Sequence, residues 1–102
     1  MKLVWEILVP VEMDGMGVPG HYHQIWDEKV RSISGGLTIS KTAKGQWVSP
    51  SNVLYLEKVI PVKIACTREE IQEIASFTLE HYHQEQVMYY LVSNEVHFAK
   101  KG

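Results

Sequence analysis

The apolar residues of this chain change period along its length, and the order of those changes limits the fold more than any other feature. Leu3, Trp5, Ile7, Val9 and Val11 alternate with Val4, Glu6, Leu8 and Pro10, the period of two expected of a strand. Asp14-Gly15-Met16-Gly17-Val18-Pro19-Gly20 interrupts it with three glycines and a proline. Tyr22, Ile25, Trp26, Val30 and Ile33 then follow helical spacing until Ser34-Gly35-Gly36 stops them. A second strand begins at Leu37-Thr38-Ile39-Ser40, and Ala43-Lys44-Gly45 has turn composition. Gln46-Trp47-Val48 has the makings of a returning arm, and Ser49-Pro50-Ser51-Asn52 is a further break.

Val53 to Cys66 reads as a long strand with Leu54, Leu56, Ile60, Val62 and Ile64 on one face. Pro61 lies within it and has no N–H for a ladder, which calls for a local edge or a bulge. Thr67-Arg68-Glu69-Glu70 has the form of a capping box. Ile71, Ile74, Ala75, Thr78, Leu79 and Tyr82 behind it make the stripe of a second helix. Val87 to Val92 reads as a strand and Val96-His97-Phe98 as a short final arm.

Strand, helix, strand, strand, helix, strand is the split β-α-β order. The expected class is α+β, a ferredoxin-like β-α-β-β-α-β fold. It has an antiparallel sheet, two helices on one face, and room for an extra hairpin at 37–49. Its 102 residues suit one domain, 1–102. A composition 45% hydrophobic and 22% charged is that of an ordinary globular protein.

In that fold Val4, Glu6, Leu8, Tyr55, Val59, Met88, Tyr90 and Val92 fall on the sheet face away from the helices, too apolar a set for a wet face. A homodimer packed through Val4, Leu8, Tyr55, Met88, Tyr90 and Val92 would bury about 600 Å² per subunit. The alternative is cover by the chain's own hairpin and C-terminal arm. A net charge of −2 supplies no field for nucleic acid. No apolar run approaches the roughly 18 residues of a membrane span. The N-terminal residues lack a secretory pattern, and Cys66 stands alone. Together these point to a cytoplasmic protein with neither nucleic-acid nor membrane partners.

Histidine is the over-supplied reactive residue. His21-Tyr22-His23 and His81-Tyr82-His83 are two like triplets, and the assumed topology puts both, with Lys44-Gly45, on one rim. His21, His23, His81 and His83 are therefore the residues a metal would have to use, with Glu12 or Asp14 adding a carboxylate. Residues two apart on a helix point about 200° apart, so a triplet presents both rings together only if extended. The first triplet, after Gly20, has that option. The second is expected in a last helical turn, where a cation near the C-terminus is favourable without a ligand. No metal is assigned.

Trp5, Trp26, Tyr82 and Tyr89 form a second set, able to line a pocket with His23 at its opening or simply to pack a core. Trp47 stands in a polar, turn-rich stretch where a large ring is less expected. Glu57 and Lys58 interrupt an apolar strand: one of them faces a buried surface or the strand bulges there. A buried carboxylate would be a candidate base, and pairing with Lys63 or Lys58 the structural alternative. Cys66, just before a helix N-terminus, reads as an inert buried thiol despite that terminus. Phosphate-loop, dinucleotide, nucleophile-elbow and paired-cysteine motifs are absent, as is a basic-aromatic RNA signature on Val53 to Cys66.

Gly35-Gly36-Leu37-Thr38, Gly45-Gln46-Trp47 and Glu57, with the later Tyr82-His83-Gln84-Glu85-Gln86-Val87, resemble a pattern of small uncharacterised bacterial single-domain proteins. That resemblance implies a ferredoxin-like fold and brings no activity or cofactor with it. The layout is also similar to the dimeric α+β barrels, which include monooxygenases, isomerases and binding proteins, so fold alone does not choose a function.

The leading expectation is a homodimeric small-ligand-binding domain, its ligand-binding residues drawn from His21, His23, Trp26, Trp47, Glu57, His81 and His83. A cofactor-independent or metal-assisted enzyme using the rim histidines is one alternative. A protein-interaction module binding through the second sheet face is the other.

Overall fold

A computed structural model describes residues 1–102. Strand β1 (Leu3–Pro10) leads through a two-residue ladder, β2 (Glu12–Met13) with β3 (Met16–Gly17), into helix α1 (Gly20–Ser34). Short β4 (Thr38–Ile39) and β5 (Ala43–Val48) precede the long β6 (Leu54–Cys66), helix α2 (Arg68–His81) and β7 (Tyr89–Ser93). The sheet runs β4-β6-β1-β7, with β5 also on β6, and every pairing is antiparallel. This is the expected ferredoxin-like α+β arrangement.

Both helices cover one face. Leu3, Trp5, Ile7 and Val9 of β1 and Val62, Ile64 and Cys66 of β6 point to that side and are buried. Trp26 and Val30 of α1 and Ile71, Ile74 and Ala75 of α2 meet them. The α2 capping box forms as its sequence requires: Glu70 N–H donates to Thr67 Oγ1 at 3.1 Å, and Thr67 N–H to Glu70 Oε1 at 2.8 Å. Gly35 closes α1 in the left-handed region (φ 90), its N–H reaching Arg31 O at 2.8 Å.

Residues 37–49 do not make a hairpin of their own. Ala43-Lys44-Gly45 is strand rather than turn, and the reversal falls at Ser49–Asn52, where Asn52 takes φ 65. β4 and β5 run along the same side of β6 with a one-residue slip between the pairs Ile39↔Val62 and Ala43↔Val59. That interruption resolves Pro61. Ser40 N–H donates to Pro61 O at 2.9 Å. Because N and O of a residue point to the same side of an antiparallel strand, the missing N–H of Pro61 faces the break rather than a regular ladder.

The distal part of β6 outruns the helices. With β5 it forms a two-stranded arm, and the molecule measures 54 × 29 × 24 Å. Leu54 and Leu56 have the alternation of core residues yet are 58% and 69% exposed. The final strand starts at Tyr89, and Val96-His97-Phe98 forms no strand, so the C-terminal segment does not add an arm to the sheet. No helix is long and apolar enough to cross a membrane.

Candidate functional site

The two histidine triplets do meet, but as a helix–helix contact. His21-Tyr22-His23 forms the first turn of α1 rather than an extended stretch. His23 Nδ1 lies 2.7 Å from the Tyr82 hydroxyl, and His81 Nε2 lies 2.7 Å from Tyr22 O. His81 also stacks on Phe77, with ring centroids 5.1 Å apart. Burial pulls His23 toward its neutral form and pushes the Tyr82 phenol up, so Tyr82 keeps its proton. A neutral imidazole accepting a hydrogen bond from that hydroxyl satisfies both groups.

His21 is exposed beside Tyr22. His83, beyond the end of α2 at φ 55, turns away to hold Asp14 Oδ2 at 2.7 Å. The four imidazoles thus do not converge: His23, His81 and His83 each bond a different group, and His21 only packs beside Tyr22. No group of three or more His, Cys, Asp or Glu side chains is placed to hold a metal ion.

Trp5, Trp26 and Tyr82 are core residues, each less than 5% exposed. Trp26 Nε1 donates to Thr78 Oγ1 at 2.9 Å, and that hydroxyl donates to Ile74 O at 2.6 Å. The Cys66 thiol is fully buried, and burial, with the nearby Glu70 carboxylate, pushes it up to about 11.

Two of the predicted site residues lie together at the root of the arm. Trp47 and Glu57 share the open face of the β5–β6 ladder, Glu57 opposite Gly45 and Trp47 opposite Tyr55. The Trp47 and Tyr55 rings stack at 4.6 Å and 14°. The strand does not bulge at Glu57-Lys58, nor does either face the core, because β6 has already left the helices there. Lys63, a suggested partner of Glu57, instead donates to Glu6 Oε1 at 3.0 Å. Tyr90 donates to the other oxygen of Glu6. These two bonds, Tyr90's foremost, hold the Glu6 carboxyl below the ordinary range.

Clefts flank the arm root on both sides of the ladder. On the open face, a cleft of about 460 Å³ brings Trp47, Glu57, His83 and Gln84 over Leu8 and Met88. On the helix side, one of about 600 Å³ is bounded by Glu12, Lys44, Gln46, Glu57, Lys58 and Gln84. Glu57, Gln84 and Pro10 belong to both. Trp47, Glu57 and His83 are thereby gathered, while His21, His23, Trp26 and His81 stay with the helix layer. Lys44, Lys58 and Gln84 were not singled out as site residues. The sequence puts Lys44 on the histidine rim and shows Lys58 as a break in an apolar strand, but that the two lysines face each other follows only once the turn is put at Ser49–Asn52.

No protein-family model matches the chain, and no curated protein matches it either. Solved structures do match, and they define the class of protein as a ferredoxin-like α+β domain. CutA1 from Shewanella sp. SIB1 superposes with a TM-score of 0.70 at 10% identity, over 95% of this chain and 84% of that one. The divalent cation tolerance protein CutA1 of Thermus thermophilus gives 0.67 at 8%, over 100% and 88%. A phage SAM lyase in complex with S-methyl-5'-thioadenosine gives 0.68 at 15%, over 91% and 81%. At such identities the likeness is one of fold. The resemblance read from the sequence holds at that level, without a sequence family behind it.

Proposed function

We propose that this chain is a self-associating domain that binds a small organic ligand in the open-face cleft at the root of its arm. The observation that carries the reading is the meeting of Trp47, Glu57 and His83 above the apolar Leu8 and Met88. An aromatic face, a carboxylate and an imidazole over an apolar floor can orient one small molecule. None of the three is needed by the core.

Self-association follows from the same face. Trp47, Tyr55, Met88, Tyr90 and Val92 remain 38–61% exposed there, joined by half-buried Val4 and Leu8. A contiguous patch of about 600 Å² is at the upper end of what soluble monomers leave in water. A second copy laid on it would enclose the cleft and exclude water from the ligand. The phage SAM lyase, solved with a thioether nucleoside, is a protein of this fold that holds a small organic molecule; its ligand and its chemistry are not transferred. The cytoplasm is the compartment proposed for a chain with one buried free thiol.

Native mass spectrometry of the untagged protein tests the reading. The expected result is a multimer carrying a stoichiometric small adduct that Trp47→Ala and Glu57→Gln both lose. An adduct retained by both variants, or a bare monomer, contradicts it.

A further inference from the structure

We infer that the helix-side cleft is an anion subsite in which Lys44 and Lys58 grip a carboxylate or phosphate group of the ligand. The inference rests on the reading of the arm root as a ligand site and adds the ligand's chemistry. Lys44 and Lys58 are direct cross-strand partners on β5 and β6, so both side chains leave the ladder on the same face, beside Gln46 and Leu56. Like charges placed directly opposite one another destabilise a strand pair. The molecule's ion pairs are Lys63–Glu6, His83–Asp14 and His97–Glu95, and neither ammonium takes part in one.

The cleft does contain carboxylates, yet they stand apart. Glu57 leaves the ladder on the opposite face, over Gly45, and Glu12 is on β2 across the opening. Two ammonium groups without an ion-pair partner therefore border one concavity of about 600 Å³, whose other charged residues are Glu12 and Glu57. Beside them the Gln46 side chain brings amide N–H groups to the same wall, while the Gln84 amide is held by Tyr82 O and Glu12 O. An anion between the lysines would turn repulsion into two charge-assisted hydrogen bonds. Because Glu57 borders both clefts, a ligand seated by its anionic group on the helix side could reach past the arm root to Trp47.

The test uses the full chain at low ionic strength, titrated by calorimetry with pyrophosphate and separately with glutarate. Saturable binding of either is expected, weakening about tenfold or more in Lys44→Gln and in Lys58→Gln. Lys29→Gln, on α1, leaves it unchanged. Preference for pyrophosphate marks a phosphate ligand, and preference for glutarate a carboxylate. Failure of both probes to bind overturns the inference, as does binding that survives both cleft variants with undiminished affinity. Trp47→Ala separates this result from the functional reading, since it leaves both lysines in place. Pyrophosphate binding by a protein that carries no adduct would keep the anion subsite and remove the organic-ligand function.

Discussion

Thr78 joins two hydrogen bonds in the middle of the core, receiving the Trp26 indole N–H and donating to Ile74 O. Thr78→Val keeps the shape but leaves the indole N–H without an acceptor in a fully buried setting. Such a loss costs about 1–3 kcal/mol, whereas Thr78→Ser, which keeps the hydroxyl, should cost less; urea denaturation of the two variants makes the comparison. His23 carries a pH dependence. Burial, the main cause, holds it below its ordinary 6.5 in the folded chain, and the nearby His81 acts in the same direction against the opposing Asp27. The unfolded chain therefore binds a proton more readily, so stability is full above about pH 6.5 and falls as pH drops toward the folded value. Asp27, whose carboxyl is raised by burial from 3.8, has the opposite sign but acts at lower pH. Between pH 7.5 and 5.5, wild type should lose more stability than His23→Gln. Equal losses would mean that the Tyr82 contact leaves His23 free to titrate.

At the scale of elements, the arm is the part that local packing does not explain. Val48, Leu54 and Leu56 are exposed on one of its faces, and Trp47 and Tyr55 on the other. Tyr55→Glu, on the open face, should leave helical circular dichroism and the unfolding midpoint close to wild type while weakening self-association. A Tyr55→Glu variant that unfolds, or one that associates as wild type does, would contradict this. This arm is also where the sequence is hardest to read. Period-two alternation assigns Val4, Leu8, Tyr55, Met88 and Tyr90 to the open face, and the capping box locates α2, because those signals depend on neighbours a few residues away. Alternation says nothing of how far the helices extend over a strand. Leu54 and Leu56 therefore look like Val62 and Ile64 in sequence, although only the latter pair is covered. The clefts are less legible still: they join Pro10, Lys44, Glu57 and Gln84, and only the tertiary register brings these together. The helical first triplet shows the same limit. Gly20 permits an extended His21-Tyr22-His23, but Pro19 at the N-cap starts α1 immediately before it.

The whole molecule is elongated, with one sheet face under two helices and the other open. Glu6, Lys63 and Tyr90 form a bonded polar group near the centre of that open face, between apolar neighbours. A second copy covering the face would find those three already bonded to one another, which lowers the cost of burying them. The cleft with Trp47, Glu57 and His83 opens on the same side, so association and ligand binding are expected to support each other. Sedimentation velocity of the wild-type chain and of Tyr90→Glu, over a range of micromolar concentrations, is the most direct measurement. The account predicts a species of at least twice the 11.7 kDa chain mass for wild type and an 11.7 kDa monomer for Tyr90→Glu. A wild type that sediments as a monomer at every concentration, or a Tyr90→Glu variant that associates as wild type does, would contradict it.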